Sequence, residues 1–188
     1  MPGVNILVTF WSRTGRTEKL ALAAALGAVQ AKANIRLRWL RETLDDRELD
    51  SVPEWQENRK RMSRDYVAPR EDDYPWADGM LIAIPASLSP AASEFKTYLH
   101  GLAAAYRNGK LRAKAARLIV SSPTPSEGNN FERDNTAASA LIDLLSGLSV
   151  TAVPPESGPS VDPVELARLE GRQLAEFSSR ICSDQSGK

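Results

Sequence analysis

The chain opens with a strand-like apolar segment that leads through a short polar turn into a helix. Residues 4–10 are mostly apolar and have the length of a strand, and apolar residues with helical spacing begin near residue 16. Serine, threonine and glycine fill the turn, at residues 12–17. Backbone N–H groups at a helix N-terminus lack partners within the helix and favour an anion such as phosphate. The turn therefore predicts a phosphate-binding loop, and an ordinary helix cap is the alternative.

This turn differs from two common nucleotide-binding motifs. The dinucleotide fingerprint needs three glycines, whereas the turn contains only Gly15. The Walker loop needs Gly-Lys followed by Ser or Thr after a longer gap, and that pattern is also missing. What remains is a hydroxyl residue followed by Thr-Gly-x-Thr. The predicted phosphate-binding residues are Ser12, Arg13, Thr14, Gly15, Arg16 and Thr17.

Strand-like segments alternate with helical patterns along the chain. The strand-like segments are nearly continuous apolar runs, which is typical of parallel strands covered by helices on both faces. We therefore predict an α/β fold with a doubly wound, five-stranded parallel sheet in a single domain at residues 1–182, followed by a polar tail at 183–188. Strands are predicted at 4–10, 35–40, 79–84, 116–121 and 149–153, and helices at about 16–32, 91–106, 132–147 and 162–181.

The segment 41–78 interrupts the alternation, because it is rich in charged residues and poor in aliphatic ones. A loop of that length without secondary structure is improbable in a compact domain. We therefore predict a helix at 46–64, interrupted near its proline, and an extended stretch at 66–76. The segment is either a solvated covering helix with a linker, or a lid or subunit contact that uses Trp55, Tyr66 and Trp76.

The composition excludes several classes of function. The formal net charge is zero, which predicts no nucleic-acid or membrane partner. One cysteine and one histidine cannot form a multi-residue metal site, so no metal is expected, and we expect His100 to lie on a helix surface. The start of the chain has no signal-peptide pattern, and no apolar run is long enough to span a bilayer. We therefore expect a cytoplasmic protein.

Ligands of a doubly wound sheet bind beyond the carboxyl ends of the strands, where the strand order reverses. The loops after the first, third and fourth strands should form that site here. In these loops the chain resembles the flavodoxin-like superfamily, and within it the NAD(P)H:quinone oxidoreductases of the tryptophan-repressor-binding-protein family and the related FMN reductases. The resemblance depends on residues 12–17, on Ala77-Asp78 and the apolar run into Pro85, on residues 94–99, and on Ser121-Ser122.

The resemblance implies an FMN cofactor, with its phosphate at residues 12–17 and its isoalloxazine ring between the second and third loops. It also implies NAD(P)H as the electron donor, a quinone or similar small molecule as the acceptor, and a homodimer or homotetramer. No catalytic side chain is assigned, because the cofactor supplies the redox chemistry. The implied ring contacts are Pro85, Ala86, Ser87, Leu88, Ser122, Pro123, Thr124 and Gly128.

Two further functions are compatible with such a fold. Proline and alanine stand in the second and third loops where the family usually has glycine and threonine, so one alternative is a non-catalytic module that has lost flavin or binds it only weakly. The other is electron transfer without substrate turnover, which the neutral net charge disfavours because such flavodoxins are usually acidic. Trp11, beside the first loop, either contacts the flavin or packs in the core.

Overall fold

The computed structural model describes residues 3–41, 53–86, 88, 92–112, 115–121, 136–148, 150–152 and 162–186. Its strands are β1 (Asn5–Phe10), β2 (Asn34–Trp39), β3 (Gly79–Pro85), β4 (Ala115–Ser121) and β5 (Thr151–Ala152). They form one parallel sheet in the order β2-β1-β3-β4-β5. The predicted fold class is therefore confirmed, and the chain reverses its direction across the sheet between β1 and β3.

Six helices occur in the described part of the chain. The last one continues through Ser186, so the helix predicted to end near residue 181 is longer than expected and includes part of the expected polar tail. The other predicted helices are present with small shifts of their ends. The helices are α1 (Arg16–Gln30), α2 (Pro53–Asp65), α3 (Asp73–Trp76), α4 (Ser93–Arg107), α5 (Thr136–Gly147) and α6 (Pro163–Ser186).

The sheet has a separate hydrophobic core on each face, because successive side chains of a strand point to opposite sides. In β1, Ile6 and Val8 belong to the core that α1 and α6 cover. Leu7 belongs to the core that α4 and α5 cover. All three side chains have no exposed surface, which is the pattern expected of a central parallel strand.

Helices α1 and α6 cross at two glycines. A Cβ atom at Gly27 would lie 1.8 Å from the carbonyl oxygen of Arg168, and one at Gly171 would lie 1.9 Å from that of Ala24. The two backbones therefore meet directly, and no side chain fits between them. This close contact fixes α1 against the sheet and holds the polar turn that precedes it in place.

The charged segment between β2 and β3 contains the helix α2, which ends at Asp65, one residue beyond the helix predicted at 46–64. Met62 of α2 is buried in the core under α1, so the helix packs against the fold on one side. The described part of α2 begins at Pro53. Residues 46–52, where the helix was also predicted, lie outside the described residues. Residues 53–65 therefore form a helix that covers part of the fold, and the role of this segment as a lid or subunit contact stays a prediction.

The stretch 66–76 was predicted to be extended, and this prediction is wrong at its end. Val67 does form a parallel bridge with Arg38 of β2, but Asp73–Trp76 is the short helix α3. The fully buried carboxylate of Asp73 accepts hydrogen bonds from the Arg70 N–H group (2.9 Å) and from Arg38 (2.7 Å from both Nε and Nη2). Arg36 adds a further bond of 3.1 Å. These bonds draw the segment back onto β2 and turn it into a helix.

Two predicted features concern the outside of the protein. His100 is exposed on α4, as expected of a surface position. Within the described ranges, every helix is too short or too polar to cross a membrane.

Candidate functional site

The polar turn after β1 lies at the carboxyl end of the sheet, where the strand order reverses. Gly15 is the N-cap of α1 and has φ 83°, a left-handed conformation that favours glycine. Its N–H group donates to the Ser12 hydroxyl oxygen at 3.1 Å. Its carbonyl oxygen accepts from the Lys19 N–H group at 3.0 Å, which starts the helix. Serine and glycine are therefore spaced three residues apart for a structural reason.

The hydroxyl groups of the turn differ in their surroundings. Thr14 is exposed, whereas Ser12 and Thr17 are buried. The Thr17 hydroxyl lies 2.7 Å from that of Ser121, at the end of β4, and either oxygen can be the donor. Ser12 accepts from Gly15 and keeps its own proton for donation. An exposed hydroxyl together with a helix N-terminus is a donor set that fits a phosphate group.

The two arginines of the turn are placed differently. The Arg13 guanidinium lies over two indole rings, 5.0 Å from the centroid of Trp11 and 4.8 Å from that of Trp55 on α2. Such cation–π contacts contribute about 0.5–1 kcal/mol each at partly exposed sites. Arg16 is exposed in the first turn of α1. Helix α2 therefore contacts the polar turn through Arg13.

Trp11 packs in the core rather than standing at the surface. Only 5% of its surface is exposed, and its indole N–H group donates to Glu94 Oε1 of α4 at 3.0 Å. Its backbone N–H group donates to the Ala83 carbonyl oxygen at 3.0 Å. Of the two interpretations from the sequence, packing is the one that the structure supports.

Sequence reasoning missed a buried charged cluster below the turn. Glu18, in the first turn of α1, is 4% exposed. Arg61 of α2 binds both of its carboxylate oxygens, with Nη1 2.7 Å from Oε1 and Nη2 in close contact with Oε2. The Tyr66 hydroxyl donates to Oε1 at 2.6 Å. The signal in the sequence was that Glu18 falls on the apolar face of α1, in line with Ala21 and Ala28, where a charge needs a partner.

This cluster fixes the charge of its members. Burial by itself would raise the pKa of Glu18, but the hydrogen bonds from Arg61 and Tyr66 outweigh burial and hold that pKa below its usual value. Burial, followed by the contact with the Glu18 carboxylate, raises the pKa of Tyr66 to about 12. Glu18 is therefore ionised and Tyr66 neutral at pH 7, and the pair Glu18–Arg61 carries no net charge.

The loop after β3 is joined to the end of β4. The Ala86 N–H group donates to the Ser121 carbonyl oxygen, and the Leu88 N–H group donates to that of Pro85, both at 3.0 Å. Leu88 is 4% exposed and packs in the core under α4. The first, second and third loops therefore begin side by side at one edge of the sheet. The other predicted ring contacts, Ser87, Ser122, Pro123, Thr124 and Gly128, lie outside the described residues.

A cavity of about 190 Å³ lies on the other side of Trp11, between the end of β2 and helix α4. None of the residues 12–17 lines it, so it is separate from the phosphate-binding turn. The turn itself is a surface feature that α2 covers on one side. The cavity is lined by Leu40, Arg41, Ala68, Pro69, Tyr74, Glu94, Thr97 and Tyr98.

Comparisons with known proteins give a consistent result. No protein-family model matches this chain. An NAD(P)H dehydrogenase (quinone) from Archaeoglobus fulgidus is 25% identical over 196 residues, which cover 95% of this chain and 99% of the relative. The similarity thus extends along nearly the whole length of both proteins.

Two solved structures share the fold. A flavodoxin, WrbA-like protein from Agrobacterium tumefaciens superposes with a TM-score of 0.58 at 19% identity, covering 94% of this chain and 98% of the other. An NAD(P)H:quinone oxidoreductase from Methanothermobacter marburgensis superposes with a TM-score of 0.53 at 15% identity, covering 92% and 97%. At these identities the structures establish the fold.

Proposed function

We propose that this chain, which belongs to the flavodoxin-like family that includes the NAD(P)H:quinone oxidoreductases, uses FMN to transfer electrons from NAD(P)H to a quinone. The observation that carries the proposal is the turn at residues 12–17. It combines a left-handed Gly15, an exposed Thr14 hydroxyl and a helix N-terminus at the point where the strand order reverses. The full-length similarity to a quinone dehydrogenase supports the choice of reaction.

The residues of the turn would hold the phosphate of FMN. The N–H groups at the start of α1 and the Thr14 hydroxyl would donate hydrogen bonds to its oxygens, and Arg16 would add positive charge. Ser12 would keep Gly15 in its left-handed conformation through their hydrogen bond. Bound FMN would supply the redox chemistry, which is acceptance of a hydride and delivery of two electrons.

The second and third loops would hold the isoalloxazine ring. The hydrogen bond between Ala86 and Ser121 keeps the starts of these two loops together, so a planar group placed between them would meet both. Pro85 and Ala86 would contribute backbone and small apolar surface, and the third loop would contribute Ser122, Pro123, Thr124 and Gly128. We also propose that the protein assembles as a homodimer or homotetramer, which sedimentation velocity would test.

A second candidate function is a flavodoxin-like module that binds flavin weakly or not at all. It is favoured by the burial of the Ser12 and Thr17 hydroxyls, which are 4% and 2% exposed and already have partners within the chain. A phosphate group would then rely on Thr14, Arg16 and backbone groups alone. Micromolar affinity corresponds to about −8 kcal/mol, so ring contacts would have to contribute substantially.

Flavin titration distinguishes the two functions. The purified chain would be added to FMN, and both the flavin fluorescence and the visible absorption spectrum would be recorded. Quenching with a shifted spectrum, together with NADH or NADPH oxidation that depends on FMN and on added 1,4-benzoquinone, would support the proposed enzyme. Quenching without turnover would support the weakly binding or non-catalytic module, and an unchanged FMN spectrum at about 100 μM protein would overturn flavin binding altogether.

A further inference from the structure

Glu18 poses an electrostatic problem for a phosphate-binding turn. A Cβ atom placed at Gly15 would lie 3.6 Å from Glu18 Oε2, so the carboxylate lies next to the turn. It is ionised and only 4% exposed. Water screens a buried charge poorly, and a phosphate dianion held at Gly15 would be repelled by it.

Arg61 counters this charge from a different part of the chain. Its Nη2 atom would lie 3.9 Å from the same Cβ position at Gly15, so the guanidinium adjoins the turn almost as closely as the carboxylate does. It binds both oxygens of Glu18 and also donates to Asn58 Oδ1 at 3.4 Å, but its side chain is 37% exposed, so a ligand at the turn can still contact it. Arginine suits this position because its planar fork can contact a carboxylate and a phosphate at once.

We infer that Arg61 and Glu18 together set the affinity of the turn for the phosphate group, and so the preference of the protein for FMN over riboflavin. Arg61 attracts the phosphate and neutralises Glu18, whereas Glu18 weakens phosphate binding and holds Arg61 in position. This inference rests on the proposed function, because it requires the phosphate to bind at residues 12–17. It gives helix α2 a role in ligand selection, which cannot be recognised from the sequence of the turn alone.

The two residues should have opposite effects. Arg61→Gln leaves the Glu18 charge unneutralised, and we expect FMN affinity to fall at least tenfold, which is about 1.4 kcal/mol. Glu18→Gln has nearly the same shape and can still accept from Arg61 and Tyr66, and we expect FMN affinity to rise about threefold or more. Riboflavin, which has no phosphate, should bind both variants as it binds the wild type.

Arg64→Gln is the matched control. Arg64 lies on the same helix and loses the same charge, but its side chain is 78% exposed and pairs with Asp65 rather than with the turn. Salt screens a solvent-exposed charge, and exposed ion pairs contribute little. FMN affinity of this variant should therefore stay within about twofold of the wild type. A fall as large as that of Arg61→Gln would show that net charge, rather than this pair, controls binding.

The experiment is a fluorescence titration of FMN and of riboflavin with the full chain, at one fixed ionic strength. Thermal unfolding of each variant is measured alongside. If Arg61→Gln does not fold, the expected rise in FMN affinity of Glu18→Gln tests the inference, and an unchanged affinity of that variant overturns it. A wild type that binds neither flavin overturns the proposed function. A wild type that prefers FMN, with the same preference in the Arg61 and Glu18 variants, overturns only this inference.

Discussion

Replacement of Gly15 with alanine should destabilise the protein through its backbone rather than through crowding. A Cβ atom at this position would come no closer than 3.6 Å to its neighbours, which is ordinary van der Waals contact. The φ angle of 83° is the source of the cost, because a left-handed conformation costs a residue with a Cβ atom about 1–2 kcal/mol. For a chain of this size, each kcal/mol lowers the melting temperature by roughly 2–4 °C.

Two other glycines provide controls for this estimate. Gly109 has φ 65° and open space around it, so Gly109→Ala should cost as much as Gly15→Ala. Gly147 also has open space but no positive φ, so Gly147→Ala should leave stability unchanged or raise it slightly. Urea unfolding of the three variants would measure the free energies. If Gly15→Ala matched Gly147→Ala, the argument from backbone strain would be refuted.

The same three variants separate stability from ligand binding. A chain that relieves the strain at residue 15 must rotate its peptide groups, which would move the N–H groups expected to bind phosphate. We therefore expect Gly15→Ala to weaken FMN binding, and Gly109→Ala to leave it unchanged at equal stability. Equal FMN affinity of the two variants in a fluorescence titration would show that the geometry of the turn does not determine binding.

Substitutions at four further positions test the fold. Asp73→Ala removes a buried carboxylate from two partly exposed arginines, and we expect the free energy of unfolding in urea to fall by about 3 kcal/mol. Burial by itself would raise the pKa of Asp73, but its hydrogen bonds outweigh burial and hold that pKa below the usual value. The stabilisation that Asp73 gives the folded state is therefore complete above the unfolded pKa of about 4, and it is lost as the pH falls through the folded pKa. Asp73→Asn should accordingly flatten the loss of stability between about pH 5 and pH 3. Gly27→Ala forces a methyl group against the Arg168 carbonyl oxygen and should lower the free energy of unfolding by more than about 2 kcal/mol. Leu26→Ala is its control, because the Leu26 side chain is 52% exposed, and it should lower the free energy of unfolding by less than about 0.5 kcal/mol in the same assay. Ser178→Ala removes a buried hydroxyl with no hydrogen-bond partner in the described ranges, so thermal unfolding should show an unchanged or higher melting temperature, and a marked decrease would reveal a partner for that oxygen.

The sheet could be predicted from the sequence because its central strands are buried on both faces. Ile6, Leu7 and Val8 are all inaccessible to solvent, and such runs of apolar residues stand out from amphipathic helices without any knowledge of the partners. The edge strand β2 was predicted with almost the same ends, although several of its residues are only half-buried. Local pattern was sufficient wherever burial extends along a whole element.

The segment 66–76 shows where local pattern was insufficient. Its two prolines, Pro69 and Pro75, indicate an extended chain, yet residues Asp73–Trp76 form a helix. The helix exists because Asp73 is held by Arg36 and Arg38, which are more than thirty residues earlier in the chain. Residues that pair over such a separation leave no pattern in the local sequence. The partners of the Asp73 carboxylate could therefore be identified only from the folded structure.

The polar turn at residues 12–17 could also be predicted only in part, and its role in phosphate binding stays a prediction. Its hydroxyl residues and glycine indicated a site at residues 12–17. Helix α2, which contacts the turn, comes from the charged segment, which was predicted as a covering helix or a lid or subunit contact and not as part of this site. Helix α2 contacts this region twice, once between Trp55 and Arg13 of the turn and once between Arg61 and Glu18 in the adjoining first turn of α1. Met62, 1% exposed, anchors the same helix in the core. In Arg61→Gln, helix α2 would still be held in place by Met62 and Trp55. A change in the FMN affinity of this variant would therefore reflect the changed charge beside the turn, and not a displacement of α2 from the turn.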